Sequence, residues 1–216
     1  MTIGRIKIEA LKLMYLNARD IHEEDLDGLG ADQNYSDFLS AMPGCINRAL
    51  QDIVLRRILP IKVAVLNRQN DPSWVYGGAY FDIGTMLPDL YAIERIALVN
   101  AERNRYYGAV SYYHEGDGLV IPDYMTGGGD EYRLLYRPLL PEVSAETRND
   151  FELPLPLPLA SAIPYFIKAE LYAADTSSNL SEAQLARQAY ETALSRYAEK
   201  AEGGHQTRIK NVFGGW

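Results

Sequence analysis

The stretch SEAQLARQAYETALSRYAEK, residues 181–200, decides the helical part of this fold. Ser181 is a favourable N-cap and Gln184 stands three residues on, which together form a capping box. Leu180 and Leu185 occupy the two positions of a hydrophobic staple. These signals predict a helix that begins at Ser181 and runs through the whole stretch.

Apolar residues on this helix form two neighbouring ridges. The first ridge consists of Leu185, Ala189, Ala193 and Tyr197, and the second of Ala186, Tyr190 and Leu194. Small alanine side chains let a partner helix approach closely. We therefore expect this helix to pack against other helices.

A second helical pattern precedes it, over about residues 159–174. One face carries Leu159, Ile163, Phe166, Ile167, Leu171 and Ala174. Pro164 suits a first helical turn, and the alternating prolines of 153–158 predict a stiff, extended entry segment. Because the link over 175–179 is short, we expect the last two helices to form an antiparallel hairpin.

The beginning of the chain is also helical in pattern. Residues 3–18 carry an amphipathic stripe. Residues 36–58 keep a 3.6-residue phase through Leu39, Met42, Ile46, Ala49, Leu50 and Ile53. Proline in a helix interior costs about 3 kcal/mol. Pro43 therefore predicts a break between a short helix ending near Ser40 and a main helix that starts at Pro43.

The stretch between these helices, residues 19–35, is strongly acidic. It carries Asp20, Glu23, Glu24, Asp25, Asp27 and Asp32. Two glycines disfavour regular structure there, so the stretch predicts a solvated loop. A calcium loop phased on Asp25 would need an oxygen ligand at Leu29 and a glutamate at Ser36, so we expect no metal ion.

The middle of the chain changes to the two-residue period typical of strands. From Ile61 the apolar residues alternate, and runs rich in Tyr, Val and Trp follow. The predicted strands are 61–65, 74–81, 105–114, 118–121 and 131–137. A hairpin turn is predicted at 115–118, because its glycines supply positive φ. The segment 87–99 fits strand and helix equally well.

These patterns predict an α+β protein. Residues 1–60 and 151–202 are expected to form one antiparallel helical bundle, into which residues 61–150 insert an antiparallel β-rich domain. Residues 203–216 are expected to form an extended C-terminal arm, because a glycine pair follows the last helix.

The composition excludes several classes of protein. The 216 residues include 21 basic and 29 acidic side chains, and the net charge of −8 argues against a general nucleic-acid binder. No apolar run is long enough for a transmembrane helix, and the first residues lack the apolar region of a secretory signal. Cys45 is the only cysteine, which excludes an intramolecular disulfide and suits a reducing cytoplasm.

No catalytic constellation is found in the sequence. The histidines, His22, His114 and His205, lie on separate segments without metal-ligand spacing. Cys45 suits a small packed residue better than a reactive thiol, and no nucleophile-elbow motif occurs. We therefore expect no catalytic residues, no metal site, no cofactor and no enzymatic activity.

The last segment, residues 205–216, is apolar and basic, and no core is assigned to it. It carries Arg208, Lys210, Val212, Phe213 and Trp216, and no acid. One interpretation is a frayed terminus. The other is a docking arm that orders on a partner, because Trp and Phe are strong interface anchors.

Four motifs, taken in order, resemble those of tailed-bacteriophage head-to-tail adaptor proteins, also called connector or gatekeeper proteins. Residues 43–53, PGCINRALQDI, are similar to the family's helix with INRA and a later isoleucine. Residues 87–90, LPDL, resemble a step inside its β-region, and residues 132–138, YRLLYRP, resemble the strand that ends in YR-P. Ile163–Asp175, IPYFIKAELYAAD, is similar to the family's helix with the pattern IP-Y-A-E-LY-D.

The resemblance implies a structural protein of the virion neck, synthesised in the host bacterial cytoplasm. Members of the family form a ring, usually of twelve copies, between the portal and the tail or nozzle. DNA passes through the lumen without specific binding, and no membrane is involved.

Two sets of residues are expected to make the contacts of such a ring. The C-terminal segments of the family reach the portal. The residues that would dock there are Arg208, Lys210, Val212, Phe213 and Trp216. Close packing of neighbouring subunits would use Ala186, Ala189 and Ala193. Two alternatives stay open, a hydrolase without a recognisable site motif and a soluble α+β ligand-binding module.

Overall fold

The computed structural model describes residues 1–15, 20–67, 73–75, 77–100, 105–122, 131–175 and 179–209. These residues form helices and antiparallel sheets, which confirms the α+β class. The helices are α1 (Ile3–Met14), α2 (Leu26–Leu29), α3 (Gln33–Leu55), α4 (Ile83–Met86), α5 (Leu157–Ala160), α6 (Ile163–Asp175) and α7 (Leu180–Ile209). The strands are β1 (Lys62–Asn67), β2 (Ser73–Val75), β3 (Gly78–Phe81), β4 (Leu90–Asn100), β5 (Arg105–Ala109), β6 (Tyr113–Glu115), β7 (Gly118–Pro122) and β8 (Glu131–Pro138). Within the described residues, no helix has the length and apolar character needed to cross a membrane.

The chain divides into two compact units. The helical unit comprises Met1–Ile58 and Leu140–Trp216, and the β unit comprises Leu59–Leu139. All the named helices except the short α4 lie in the helical unit. Residues 140–150, which the sequence pattern assigns to the β-rich insertion, belong with the helices.

Helix α1 begins with a side-chain cap. The Thr2 hydroxyl accepts a hydrogen bond from the Arg5 backbone amide at 3.1 Å, as an N-cap residue does. Its buried residues are Ile3, Gly4, Ile6, Ile8, Ala10 and Leu11. The helix ends at Met14 instead of residue 18, because Tyr15 is extended (φ −124°, ψ 127°). Residues 16–18 lie outside the described part of the chain.

The acidic stretch that the sequence predicts to be a loop is partly helical. Glu23–Asp25 form a 3-10 turn, and α2 follows directly. The Asp25 carboxylate accepts a hydrogen bond from the His22 backbone amide at 2.8 Å. Leu26, which is 5% exposed, anchors this segment in the core. Capping and one buried leucine therefore outweigh the glycines that suggested a loop.

Helix α3 continues across Pro43, so the predicted break near Ser40 is wrong. Proline removes one backbone donor from the helix. The turn around it is buried, and Met42, Cys45 and Ile46 are each at most 1% exposed. Burying a large apolar side chain stabilises a fold by about 1.5–3 kcal/mol, so packing offsets the missing hydrogen bond.

Helices α6 and α7 form the predicted antiparallel hairpin. The ring of Phe166 contacts Tyr190. Lys168, further along α6, pairs with Glu182, which lies nearer the start of α7. The extended entry segment is shorter than predicted, because α5 already begins at Leu157.

One side chain holds the segment 140–150 against α3. The Asn47 amide nitrogen donates to the Val143 carbonyl at 2.8 Å, and the Asn47 carbonyl oxygen accepts from the Val143 amide at 2.8 Å. Val143 is 2% exposed. Water therefore has little access to replace this pair of hydrogen bonds.

The β unit contains two four-stranded antiparallel sheets among the described residues. Their strand orders are β1-β8-β4-β5 and β2-β3-β7-β6. The predicted strand 74–81 is divided into β2 and β3, because Gly77 adopts a positive φ of 75° between them. The predicted strand 105–114 is likewise divided into β5 and β6. The hairpin predicted at 115–118 is confirmed as the turn between β6 and β7.

The ambiguous segment 87–99 is mostly strand. Its strand, β4, pairs with β8 on one side and β5 on the other. Asp89, just before β4, accepts hydrogen bonds from the Lys62 ammonium at 2.6 Å and the Tyr136 hydroxyl at 3.1 Å. Long-range pairing therefore decides the conformation of this segment.

The two sheets share one apolar core. The core comprises Leu66, Ala79, Phe81, Ile83, Ile96, Leu98, Val110, Leu119, Ile121, Tyr132, Leu134 and Tyr136. The rings of Phe81 and Tyr132 meet edge to face, with centroids 5.7 Å apart. Burial alternates strictly along β8, as the two-residue period of the sequence predicts.

Replacing Asn47 by alanine should lower the free energy of unfolding by about 2 kcal/mol or more, because two buried backbone groups of Val143 would lose their partners. Asn47→Asp should also destabilise the fold, since it keeps the acceptor for the Val143 amide but sets a carboxylate oxygen against the Val143 carbonyl. Urea unfolding followed by circular dichroism measures both. Gln51→Ala, at an exposed position one turn along α3, should change stability by less than about 0.5 kcal/mol. An Asn47→Ala loss no larger than this control would show that the pairing does not hold the segment.

Candidate functional site

Helix α7 buries one of its two apolar ridges within the helical unit. Ala186, Tyr190 and Leu194 are 5%, 0% and 2% exposed. The Tyr190 ring packs edge-on against Phe166 of α6, with centroids 5.0 Å apart, and its hydroxyl donates to the Asp52 carboxylate of α3 at 2.9 Å. Burial, together with the hydrogen bond to Asp52, raises the pKa of Tyr190 far above its ordinary value.

Charged side chains beside Tyr190 fix the rotation of α7. The guanidinium of Arg56, just after α3, donates to Glu191 of α7 at 2.5 and 2.8 Å, and its Nε donates to Asp52 at 2.8 Å. The Arg187 guanidinium lies 4.9 Å from the centre of the Phe166 ring. With these contacts in place, the second apolar ridge of α7 must face outward.

The outward ridge of α7 and the neighbouring face of α6 form an open groove. Leu185 is 66% exposed and Tyr165 is 37% exposed. The groove has a volume of about 460 Å³ and is lined by Tyr165, Leu185, Gln188, Ala189, Thr192, Ala193 and Arg196. The Thr192 hydroxyl donates to the Gln188 backbone carbonyl at 2.8 Å. This α6–α7 groove therefore combines apolar side chains with the polar ones of Gln188, Thr192 and Arg196.

A second hollow extends the α6–α7 groove towards α1. It has a volume of about 360 Å³ and is lined by Leu13, Tyr165, Lys168, Glu182, Leu185, Ala186 and Ala189. The Lys168 ammonium binds Glu182 at 2.8 Å and the Leu13 backbone carbonyl at 2.9 Å. Because this lysine and glutamate pair with each other, the surface suits an apolar partner better than a charged small molecule.

The three alanines predicted for subunit packing do not share one environment. Ala189 and Ala193 are partly exposed and line the α6–α7 groove. Ala186 is 5% exposed and packs within its own chain. Ala186 also lines the hollow towards α1, so its assignment to a subunit contact stays a prediction.

Helix α7 extends into the residues predicted to form a C-terminal arm. Helix α7 continues through Gly203 and Gly204 to Ile209, so the hinge after residue 202 is wrong. Extending an existing helix adds one hydrogen bond for each residue fixed, which offsets the cost of about 1 kcal/mol for each glycine. Of the assigned docking residues, Arg208 belongs to the α7 backbone, and Lys210, Val212, Phe213 and Trp216 lie outside the described residues.

Sequence reasoning did not identify Tyr165 and Leu185 as groove residues. The predicted staple does not form a buried pair, since Leu180 and Leu185 are 47% and 66% exposed. Helix α7 also starts at Leu180, one residue before the predicted N-cap. The sequence signal for the groove was the helical spacing of Leu185, Ala189 and Ala193. This spacing gives α7 a second apolar face beside the one that its own core buries.

Two observations on the described residues concern metal binding and thiol chemistry. No group of three His, Cys, Asp or Glu side chains in this part of the chain is placed to hold a metal ion. Burial raises the pKa of the Cys45 thiol, which disfavours the reactive thiolate form. The α6–α7 groove is therefore the surface on which we base the functional argument.

Comparison with protein-family models and with curated proteins finds no match to this chain. The function is accordingly argued from the groove and from the chain's own sequence.

Tyr190→Phe should lower the free energy of unfolding by about 1–3 kcal/mol at pH 7, because a buried hydrogen bond to a carboxylate is lost. The folded protein raises the pKa of Tyr190, so the stabilisation by this group is complete below about pH 10 and is lost as the pH rises further. The difference in the free energy of unfolding between the parent and Tyr190→Phe should therefore become smaller above about pH 10.

Urea unfolding at pH 7 and at alkaline pH tests this prediction. Tyr165→Phe, which changes a partly exposed ring in the groove, serves as the control. It should leave the free energy of unfolding nearly unchanged at both pH values. A difference between parent and Tyr190→Phe that stays constant with pH would contradict the assignment.

Proposed function

We propose that this chain is a structural subunit of the ring that joins the portal to the tail of a tailed bacteriophage, and that it is not an enzyme. The observation that carries the proposal is the α6–α7 groove, where Leu185 is 66% exposed although the ridge beside it is fully packed. Exposed apolar surfaces of this kind mark contacts with other proteins. The resemblance of the four sequence motifs suggests which assembly this contact serves.

A closed ring needs head-to-tail contacts, in which one face of each subunit meets a different face of the next. We propose that the groove, with Ala189 and Ala193 on its floor, is one of these two faces. Stable interfaces of this type bury on the order of 2,000 Å² or more in total. The resemblance suggests about twelve copies around the ring.

The proposed location is the virion neck, after synthesis in the host bacterial cytoplasm. The portal would lie on one side of the ring and the tail or nozzle on the other, with DNA passing through the lumen. The net charge of −8 supports passage without specific binding, because an acidic surface does not neutralise phosphates.

Leu185→Glu should reduce ring assembly on purified portal at least tenfold, because it places a charge in the apolar groove. An interface anchor is worth on the order of 2 kcal/mol, or about thirtyfold in affinity. The matched control is Leu55→Glu, since Leu55 is 68% exposed at the end of α3 and does not line the groove. Light scattering and electron-microscopy class averages measure the assembly and its symmetry.

Both variants change exposed side chains, so both should unfold at nearly the parent's urea concentration. A parent protein that stays monomeric with every portal tested, or that forms only two-fold dimers, would contradict the proposed function.

A further inference from the structure

We propose that the α6–α7 groove binds residues 210–216 of a second copy of this chain. The proposal rests on the ring described above, and it names the contact between neighbouring subunits. Its argument has three parts: the chemistry of the segment, the distance that it can span, and the way the contact repeats around a ring.

The segment carries apolar side chains that suit the groove. Val212, Phe213 and Trp216 follow the end of α7. The groove volume of about 460 Å³ lies within the range of roughly 300–1,000 Å³ that bound organic groups occupy. Tyr165 offers a partly exposed ring for edge or offset contact with an aromatic side chain. The small side chains of Ala189 and Ala193 leave the groove floor open to these residues.

Val212 and Phe213 cannot reach the floor of the groove in their own chain. From Ala193, the nearer of the two floor alanines, to Ile209, α7 advances by about 24 Å at 1.5 Å per residue. Phe213 is four residues beyond Ile209, and a fully extended chain of that length spans at most about 14 Å. Only Trp216, which can return by at most about 25 Å, could approach Ala193 of its own chain. Val212 and Phe213 can therefore occupy the groove floor only in another copy.

The contact can repeat from copy to copy. Each copy has one groove and one segment, and they lie at different places in the chain, so the contact can continue around a ring. The groove is lined by Arg196 and by no acidic residue, so the apolar side chains of the segment, and not Arg208 and Lys210, carry the proposed contact.

Cross-linking between two full-length variants tests the proposal. One variant carries Ala189→Cys in the groove and the other carries Val212→Cys in the segment. They are mixed, assembled on portal and treated with a short bismaleimide. We expect covalent dimers in the mixture, and at least tenfold fewer when Leu55→Cys replaces Ala189→Cys, since Leu55 is exposed outside the groove. The parent protein measures the background, because its single cysteine, Cys45, is 1% exposed.

The outcomes separate this proposal from the proposed ring. If rings form but the groove pair cross-links no more than the Leu55→Cys pair, the segment contact is wrong and the ring stands. Cross-linking of Val212→Cys to the portal alone would likewise overturn the contact between copies and support the portal as the partner of this segment. Efficient groove cross-linking in particles that are only two-fold dimers would support the segment contact and contradict the ring.

Discussion

The burial of Tyr190 is the constraint on which the helical unit depends. Its ring is 0% exposed beside Phe166, and its hydroxyl donates to Asp52 at 2.9 Å. Asp52 lies in the first part of the chain, and Phe166 and Tyr190 lie in the last. A buried hydroxyl without a partner would cost about 1–3 kcal/mol. This contact therefore joins the two segments that the β unit separates in sequence. The Arg56 guanidinium donates a hydrogen bond to the same Asp52 carboxylate and offsets its negative charge.

The same constraint produces the surface on which the functional argument rests. Once Ala186, Tyr190 and Leu194 face the core, the other apolar ridge of α7 has to face outward. A groove lined by Leu185 and Tyr165 is the consequence. The chain keeps apolar side chains exposed at this groove even though the neighbouring ridge of α7 is buried, which is the reason for our proposal of a contact with another protein there.

The β unit depends on pairings between distant strands. Asp89 links β1 and β8 through Lys62 and Tyr136, and these contacts hold the beginning of β4 in place. The Lys62 hydrogen bond and charge, helped by the Tyr136 hydroxyl, lower the pKa of Asp89 despite its partial burial. The local sequence of 87–99 favours neither helix nor strand, so pairing with β8 decides its conformation.

The sequence by itself determined the features that depend on local period and capping. The α+β order, the two ridges of α7, the last helical hairpin and the turn at 115–118 follow from periods of 3.6 and 2 and from turn residues. The 3.6-residue period also identified Ala189 and Ala193 as residues of an apolar ridge of α7. Only the tertiary structure decided that α3 continues across Pro43, because its burial offsets a lost hydrogen bond. It also decided which ridge of α7 is exposed: both ridges are apolar in sequence, and only the contacts of Tyr190 with Phe166 and Asp52 distinguish them.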